Sequence, residues 1–408
     1  MNPTLAIVFG FGSATALEIA GSAHGLCDLV FVCDPASPYT AESLPLLESL
    51  GRVVPTTGRV AVVEQLRKLD VSGILTFADS GLATAAQLAE SLRLSFHSAE
   101  TAMLLADKHR QRRRLASHKV PSARFAVVGS PADAAPALAT VGVPAVLKPR
   151  SGAGSRNTVL VSSAGELDAA VTAAFAAGDR DLVLEEYLIG DSTIAGPAWG
   201  DYVSVESLVL DGRVAHLGVT GKPPLAEPFR ETGAFFPSTL SDSVQRQACG
   251  VTTRALHALG VTSGVAHTEL KLTAAGPHVI EVNGRLGGYV NDVFTRSTGI
   301  SPLRMALCAA LRTVGDVPQP APATVAYQFR LAPPVWATTV SGISGVPETM
   351  ALAGVRRVEL LCRPGDEVDW RHGTVSAVAV VHGEAPDHAA LEYAKVRIEE
   401  TLVIRYAR

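Results

Sequence analysis

The sequence predicts an α/β protein that begins with a doubly wound parallel sheet and continues into more β-rich domains. Three observations support this fold class. Short apolar strands alternate with helical stretches up to about residue 100, which is typical of βαβ units in a parallel sheet. From about residue 125 the pattern changes to short β segments separated by glycine and proline, and a proline-rich stretch at 317–324 precedes a final run of strands and a helix. The 408 residues therefore divide into three predicted domains, 1–105, 106–315 and 316–408.

The composition is that of a globular protein. Hydrophobic residues make up 47% and charged residues 18% of the chain, which argues against disorder. The formal net charge of −4 gives no chain-wide basic surface for nucleic acid. No apolar run reaches the roughly 20 residues needed to span a bilayer, and the start of the chain lacks the basic region of a signal peptide. Five scattered cysteines show neither zinc-ligand nor CxxC spacing, so we expect free thiols in a reducing cytoplasm. From the charge and the apolar runs we expect no nucleic acid and no membrane partner.

The N-terminal domain is predicted to alternate strands and helices, with strands at 4–9, 29–33 and 74–77 and a helix at 14–20. The first strand is followed by the turn Gly10-Phe11-Gly12-Ser13, which matches part of the G-x-G-x-x-G dinucleotide fingerprint. Thr15 occupies the position of the third glycine, although Asp34 does follow the second strand as the fingerprint requires. We favour the tight turn that any doubly wound domain needs, with a nicotinamide-dependent oxidoreductase as the competing interpretation.

Further elements follow from helical and alternating patterns. The sequence predicts helices at 108–119, 244–259, 301–311 and 387–401, and a strand at 374–381. The first of these helices is rich in arginine, and we interpret its charges as a solvated helix face ended by Pro121.

A lysine and a flexible loop form the first strong candidate site. Lys148 lies at the end of a predicted strand and is followed by Ser151-Gly152-Ala153-Gly154-Ser155. Glycines let backbone N–H groups approach phosphate oxygens, and the lysine adds a point charge. Because the lysine precedes the glycines, the motif is not a P-loop; it suits a hinged β-hairpin lid over a nucleotide, or else a plain surface hairpin.

A second candidate is the strand that ends in Glu185-Glu186-Tyr187-Leu188. Such a segment can offer backbone groups to an adenine edge and apolar side chains to its faces. A strand that ends in a solvated loop explains the same pattern equally well.

Two alternating segments around Glu269 and Glu281 predict a β-hairpin with facing carboxylates. If the hairpin is symmetric about Ala275, Glu269 lies opposite Glu281 and His267 opposite Asn283. Two carboxylates directly opposite one another repel, and a divalent cation between them reverses that effect. Oxygen ligands from Glu269, Glu281 and Asn283 favour Mg²⁺ or Mn²⁺ over zinc. The alternative is an exposed acidic sheet face.

The hairpin is followed at once by Gly284-Arg285-Leu286-Gly287-Gly288-Tyr289. A planar guanidinium just past the strand end is placed to grip a carboxylate or a phosphate through two N–H groups. The glycines allow a ligand to approach the backbone closely.

In order and spacing, these motifs resemble the ATP-grasp superfamily. The resemblance is carried by Lys148, the segment 185–188, Glu269 and the pattern Glu281-x-Asn283-x-Arg285. Further stretches at 201–206, 222–240, 267–271 and 365–370 look like the L-amino acid ligase branch, which includes bacilysin-type dipeptide synthetases and is related to carnosine synthase. The resemblance implies an ATP-grasp fold with a mobile β-rich lid subdomain at about 120–187 and an α+β C-terminal domain.

The resemblance also implies roles for single residues. ATP contacts are implied for Lys108, Lys148, Ser151, Gly152, Gly154 and Ser155, and for Glu185, Glu186, Tyr187 and Leu188 around the adenine. Glu269, Glu281 and Asn283 are the implied ligands of Mg²⁺, as two ions or with Mn²⁺ in their place. Arg285 and Lys148 are the implied catalytic residues, and the implied substrate pocket contains Glu231, Arg285, Gly287, Gly288 and Tyr289.

Two departures leave the substrate open. Bacilysin-type ligases carry a histidine three residues after the glutamate that matches Glu231, where this chain has Ala234, and a tryptophan where it has Tyr289. The resemblance predicts an ATP-dependent ligase that joins an amino acid carboxylate to an amine, such as another amino acid or a peptide, through an acyl phosphate. Carboxylation, formyl transfer and non-catalytic nucleotide binding are the alternatives within the superfamily. Members are often dimers, so a homodimer is a further expectation.

Overall fold

A computed structural model describes residues 2–315, 317–318 and 320–408. The predicted N-terminal and C-terminal domains begin at residues 1 and 316, which lie outside the described residues. The helices are α1 Ala16–Ala23, α2 Pro38–Leu50, α3 Arg59–Lys68, α4 Leu82–Leu92, α5 Ala99–Ala106, α6 Lys108–Ser117, α7 Ala134–Val141, α8 Ala164–Ala176, α9 Asp242–Ala258, α10 Val290–Thr298, α11 Pro302–Ala310, α12 Val346–Met350 and α13 His388–Thr401. Across the described ranges, no helix combines the length and apolar character that crossing a bilayer requires.

The strands are β1 Thr4–Val8, β2 Asp28–Cys33, β3 Arg52–Pro55, β4 Val71–Thr76, β5 Phe125–Val128, β6 Ala145–Pro149, β7 Val159–Val161, β8 Leu182–Glu186, β9 Tyr202–Leu210, β10 Arg213–Gly221, β11 Gly233–Phe236, β12 Gly264–Thr273, β13 Gly276–Asn283, β14 Val325–Leu331, β15 Thr339–Ser344, β16 Val355–Leu360, β17 Ala379–Ala385 and β18 Val403–Ala407. Short 3-10 helices lie at Asp79–Gly81 and Pro131–Asp133, and a 3-10 segment at Trp370–Ser376 is kinked at Gly373.

The N-terminal sheet is parallel, as predicted, with the strand order β3-β2-β1-β4. The prediction missed β3, which has only four residues and too short an apolar pattern to stand out. The turn at Gly10–Ser13 packs tightly, because the Ser13 N–H donates to the Phe77 carbonyl at 2.8 Å and a Cβ on Gly12 would clash with the same carbonyl. The fold thus explains the tight turn without a bound ligand.

Thr15 has a structural role at the position where the fingerprint requires a glycine. It is the N-cap of α1, and its hydroxyl accepts a hydrogen bond from the Glu18 N–H while the Glu18 carboxylate accepts one from the Thr15 N–H. This capping box satisfies N–H groups that a dinucleotide pyrophosphate uses in the fingerprint fold. The geometry therefore favours the structural interpretation of the turn over the oxidoreductase.

A second sheet is antiparallel, with the order β5-β8-β6-β7, and lies within the range 120–187 that was predicted to be β-rich. Helices α7 and α8 cover it through Ala134, Ala137, Leu167 and Val171. The sequence interpretation missed both helices, because their alanine-rich turns carry few large apolar residues.

The third sheet has eight strands in the order β13-β12-β9-β10-β11-β14-β17-β16. It crosses the predicted domain boundary near residue 316, because β11 pairs with β14. One face is apolar and packs on α9 and α13. The other face carries buried polar side chains at alternate positions, among them Ser204, Glu206, Thr220, His267 and Gln328. A polar face shielded from water is costly unless its groups are paired, so it marks the site.

Two predictions about single elements were wrong. The helix predicted at 108–119 is present to within two residues as α6, but the prediction that its charges face water was wrong, because Arg112 is only 1% exposed. The strand predicted at 374–381 begins only at Ala379, and the residues before it form the 3-10 helix Trp370–Ser376. The helices predicted at 244–259, 301–311 and 387–401 are confirmed to within two residues as α9, α11 and α13.

Candidate active site

A cleft lies between the lid sheet, the glycine-rich loop and the polar face of the large sheet. Its walls include these residues predicted from the sequence: Lys108, Lys148, Ser151, Gly152, Gly154, Ser155, Glu185, Glu186, Tyr187, Leu188, Glu231, Glu269 and Glu281. The other predicted site residues, Asn283, Arg285, Gly287, Gly288 and Tyr289, are not part of this wall. Asn283 is the last residue of β13, the other four follow that strand, and all five lie next to the cleft.

A buried ion-pair cluster holds Lys148. Lys148 on β6 and Glu185 on β8 lie diagonally on one face of the lid sheet, with Nζ 2.8 Å from Oε2. Arg112 from α6 reaches the same oxygen at 3.1 Å and also donates to the Ile280 carbonyl. Burial raises the pKa of Glu185, yet Arg112 and Lys148 lower it below its usual range. Burial lowers the pKa of Lys148, and Glu185 opposes that effect.

Lys108 connects the loop to the metal-ligand candidates. Its Nζ lies 3.0 Å from Oε1 of Glu281 and donates to the Gly152 carbonyl at 2.6 Å. Burial raises the pKa of Glu281, but Lys108 and Lys148 together lower it, so this carboxylate is ionised at neutral pH. The lysine can therefore reach both the lid loop and any phosphate that lies beneath it.

The strand register confirms that Glu269 faces Glu281 and that His267 faces Asn283. The turn is tighter than expected, because only residues 274 and 275 lie between the paired residues Thr273 and Gly276. A bulge next to Glu269 shifts the register by one residue and restores the predicted pairing. Cations already contact both carboxylates. Lys108 contacts Glu281, and Nε2 of His267 lies 3.4 Å from Oε1 of Glu269. A site that attracts cations to two facing carboxylates fits Mg²⁺.

The same ladder carries a buried polar chain from His267. Its Nδ1 lies 2.6 Å from the fully buried Glu206, on the neighbouring strand β9. Burial lowers the pKa of His267, but Glu206 raises it to about 9. Gly287 packs against the imidazole so closely that a Cβ would lie 2.5 Å from Nδ1. Within the described ranges, no three His, Cys, Asp or Glu side chains form a ready-made metal cage.

Glu231 lies in a second cationic environment at the far end of the cleft. Its carboxylate is 2.7 Å from Lys222 and 3.2 Å from Arg330. Burial raises the pKa of Glu231, yet the two cations hold it at about 2. The Arg330 guanidinium stacks 4.9 Å from the ring centroid of Tyr289, so Arg330 joins the two predicted substrate residues.

Arg285 pairs with Asp79, which lies just beyond β4 of the N-terminal sheet. The Asp79 carboxylate accepts from Nε at 3.0 Å and from Nη2 at 2.7 Å, and the Leu286 carbonyl accepts from Nη1 at 2.8 Å. Burial lowers the pKa of Arg285, and Asp79 more than offsets this. A guanidinium carries five N–H donors, so these contacts leave two of them for a ligand.

At the predicted adenine end, Glu186 and Tyr187 border the cleft. Glu186 pairs with Arg124 at 3.1 Å, and Lys271 lies 5.6 Å from the centroid of the Tyr187 ring. Lys271 is in turn fixed by Asp201 at 2.7 Å. The Glu185 carboxylate points to Arg112 and Lys148, so an adenine contact from Glu185 falls to its backbone.

Sequence reasoning missed several residues that shape the site. Arg112 was assigned to a solvated helix face, Asp79 follows a strand without any motif, and Arg330 lies 99 residues after its partner Glu231. Lys222 had a usable signal, because it continues the alternation of β10 onto the polar face. The other three depend on tertiary contacts that no local pattern encodes.

The chain matches the ATP-grasp domain family over residues 141–292. It is 26% identical over 355 residues to the uncharacterized protein y4rH of Sinorhizobium fredii, covering 86% of this chain and 72% of that protein. It is 28% identical over 272 residues to human carnosine synthase 1, covering 62% of this chain and 32% of that protein. It is 24% identical over 283 residues to the L-arginine-specific L-amino acid ligase of Bacillus subtilis, covering 67% and 66%.

The crystal structure of an L-amino acid ligase from Bacillus licheniformis superposes with a TM-score of 0.80 at 24% identity, over 100% of this chain and 99% of that one. This similarity establishes the fold. The chain spans about a third of the length of the carnosine synthase and about two thirds of the Bacillus subtilis ligase.

Proposed function

Since this chain carries an ATP-grasp domain in an ATP-grasp fold, we propose that it is an ATP-dependent carboxylate–amine ligase. It would join an amino acid carboxylate to the amine of a second amino acid or peptide and release ADP and phosphate. One observation carries the proposal: the phosphate-binding lysines, the facing carboxylates Glu269 and Glu281 and the cation-lined Glu231 pocket share one cleft. Two relatives with matching sequence are named for ligating an L-amino acid and for making carnosine.

The chemistry has two steps. The carboxylate oxygen of the first substrate attacks the terminal phosphorus of ATP, and the bond to the bridging oxygen breaks to release ADP and leave an acyl phosphate. The amine of the second substrate then attacks the acyl carbon, phosphate leaves, and the nitrogen gives up a proton. Phosphorylation is needed because a free carboxylate has no leaving group that an amine can displace.

Positioned charges do the catalytic work in this scheme. Lys148, fixed by Glu185, lies beside the glycine-rich loop and offsets negative charge on the phosphates. Arg285, held by Asp79, directs its two remaining N–H donors to the transferred phosphoryl group and the acyl phosphate. Ser151, Gly152, Gly154 and Ser155 cover the phosphates and exclude water.

Mg²⁺ is the cofactor that these residues would hold. Glu269 and Glu281 are its proposed ligands, with Asn283 two pairs further along the ladder, and we propose two ions. When bound, Mg²⁺ supplies positive charge to the phosphate oxygens and helps align the terminal phosphoryl group.

The substrate end is proposed to comprise Glu231, Arg285, Gly287, Gly288 and Tyr289. Glu231 stays ionised at neutral pH because Lys222 and Arg330 compensate its charge. Tyr289 forms an aromatic wall under Arg330.

We further propose the division into domains 1–105, 106–315 and 316–408, and a homodimeric, cytoplasmic enzyme. The proposal of a reducing compartment rests on the five cysteines, all of which are free.

A substrate matrix tests the function. The purified chain is incubated with ATP, Mg²⁺ and every pair of the twenty L-amino acids, and phosphate release and product mass are recorded. We expect a subset of pairs to give phosphate together with a product of the dipeptide mass. Phosphate release with bicarbonate or formate in place of an amino acid would instead support the carboxylation or formyl-transfer outcome.

A further inference from the structure

The glycine-rich loop is docked on a segment from the C-terminal part of the chain, Trp370–Ser376, in which two short 3-10 turns meet at a kink at Gly373. The Thr374 N–H donates to the Gly154 carbonyl at 2.8 Å, and the Asn157 N–H donates to the Arg371 carbonyl at 3.0 Å. These two backbone hydrogen bonds run in opposite directions between the loop and this segment. They fix the register of the loop in a way that side-chain contacts alone would not.

The contact is too close for any side chain at Gly373. This residue has φ +71° and ψ −141°, a conformation that favours glycine. A Cβ there would lie 1.9 Å from the Gly154 carbonyl oxygen and 2.8 Å from the Arg156 nitrogen. Gly373 thus lets the C-terminal backbone touch the loop directly.

Thr374 extends this contact into the substrate pocket. While its backbone N–H binds the loop, its hydroxyl accepts a hydrogen bond at 3.3 Å from the backbone N–H of Glu231. Glu231 is in turn paired with Arg330. The residue after Arg330, Leu331, accepts a hydrogen bond at 2.8 Å from the N–H of Val378, two residues beyond the segment Trp370–Ser376. The loop over the phosphates and the pocket for the amino acid therefore share one support.

We propose that the segment Trp370–Ser376 is the docking platform of the glycine-rich loop, and that Thr374 is a positioning residue that couples loop closure to the Glu231 pocket. The second half of this statement rests on the proposed ligase function. In that reaction, an undocked loop admits water, which attacks the acyl phosphate and returns the free carboxylate and phosphate. Docking thus determines what fraction of the acyl phosphate reacts with the amine to form amide and what fraction is lost to hydrolysis.

Loop docking is tested first without any turnover. Gly373→Ala places a methyl group against the loop, whereas Gly365→Ala is the matched control, because Gly365 also has positive φ but a Cβ there meets nothing within 4 Å. Trypsin cleavage after Arg156, an exposed loop residue, reports detachment, with AMP-PNP and Mg²⁺ present or absent. We expect Gly373→Ala to be cut about tenfold faster than the wild type, as the loss of two backbone hydrogen bonds implies, and Gly365→Ala to match the wild type. Equal cleavage of Gly373→Ala and wild type would overturn the platform.

Coupling is tested with Thr374→Val, which loses the hydroxyl, and Thr374→Ser, which keeps it. The readout is ADP released per amide formed, using the amino acid pair that gives the most product in the substrate matrix. We expect the ratio to rise about twofold or more in Thr374→Val and to stay near that of the wild type in Thr374→Ser. An unchanged ratio in Thr374→Val would refute the coupling. If no pair yields an amide, the ligase proposal fails, while the trypsin result still decides the docking platform. If Gly373→Ala does not fold, hydrogen exchange of the wild type decides the platform: we expect slow exchange of the Asn157 and Thr374 N–H groups, and rapid exchange of both would overturn it.

Discussion

Replacing Glu185 by glutamine should make ATP binding depend on pH. Glu185 is 4% exposed and is the carboxylate that contacts Lys148 at 2.8 Å. Burial already lowers the pKa of Lys148, and Glu185 counteracts it, so the Glu185→Gln variant should have a Lys148 whose pKa falls further toward neutrality. A lysine with a lowered pKa is charged only at lower pH. ATP binding in the variant should therefore strengthen as pH falls from 9 to 6, whereas the wild type should change little.

The size of the effect follows from the interactions that change. A hydrogen bond between charged groups contributes about 1.5–3 kcal/mol, which corresponds to roughly a 10-fold to 150-fold change in the Kd of ATP between the charged and neutral forms of Lys148. Removing one partner of a buried ion pair also costs about 3–5 kcal/mol of stability, because Arg112 at every pH, and Lys148 at low pH, keep their charges in a poorly solvated position. Glu186→Gln is the neighbouring control for stability, since its pair with Arg124 is exposed to solvent and contributes little.

Titration calorimetry with AMP-PNP and Mg²⁺ at pH 6, 7, 8 and 9 measures the binding. Four proteins are compared: wild type, Glu185→Gln, Lys148→Met and the double variant. The double variant should lose the extra pH dependence, because the group that titrates is absent. If Glu185→Gln bound the nucleotide with the same pH profile as wild type, or if the double variant kept the new dependence, the assignment of Lys148 to the phosphates would be refuted.

Three further predictions address the metal, the arginine and the substrate pocket. Glu269→Ala and Glu281→Ala should each abolish Mg²⁺-dependent ADP release with an unchanged circular dichroism spectrum, because each removes one of two facing oxygen ligands. Arg285→Ala should lower kcat by about 100-fold or more and change the Kd of ATP by far less, because its free donors act on the transferred group. Between pH 7 and pH 3, wild type should lose about 2 kcal/mol more stability than Glu231→Gln, because the pKa of Glu231 is about 2 in the folded state against 4.5 ordinarily.

Each of these has a contrary outcome. Normal turnover in either glutamate variant would contradict the metal assignment. A weaker ATP affinity with unchanged kcat in Arg285→Ala would contradict its role on the acyl phosphate. A depressed carboxyl pKa contributes stability that is complete above about pH 4.5 and disappears as the pH falls toward 2. If the difference in unfolding free energy between wild type and Glu231→Gln, measured by urea denaturation, were the same at every pH, the buried ion pair would be contradicted.

Local sequence patterns predicted much of the fold because its elements follow simple periodicities. The alternation around Glu269 and Glu281 was enough to predict their pairing, although the turn and the bulge beside it were not foreseen. Patterns failed where the local signal was weak. Strand β3 has four residues, and α7 and α8 are built largely from alanine, so neither a strand nor a helix periodicity stands out.

For the candidate site, the sequence predicted residues in and next to the cleft better than the residues that support them. Lys148, Glu281 and Arg285 each follow a strand or belong to a spaced motif, which local inspection can find. The partners of Glu185 and Arg285 are Arg112 and Asp79, which lie 73 and 206 residues away in the sequence and carry no motif of their own. An arginine in a charged helix is usually solvated, and only the approach of β8 to α6 makes Arg112 a buried partner of Glu185.

The charges in the cleft suggest that nucleotide and metal bind together. Its walls carry five cations, Lys108, Arg112, Lys148, Arg156 and Lys271, and five carboxylates, Glu185, Glu186, Glu231, Glu269 and Glu281, so the formal charges cancel. ATP alone would bring its negative charge close to Glu281, and a divalent cation alone would have to displace Lys108 from that carboxylate. If both arrive together, Lys108 can leave Glu281 for a phosphate while Glu281 keeps a cationic partner, and no buried charge is left unpaired. The ion pair between Lys108 and Glu281 therefore disfavours either ligand without the other.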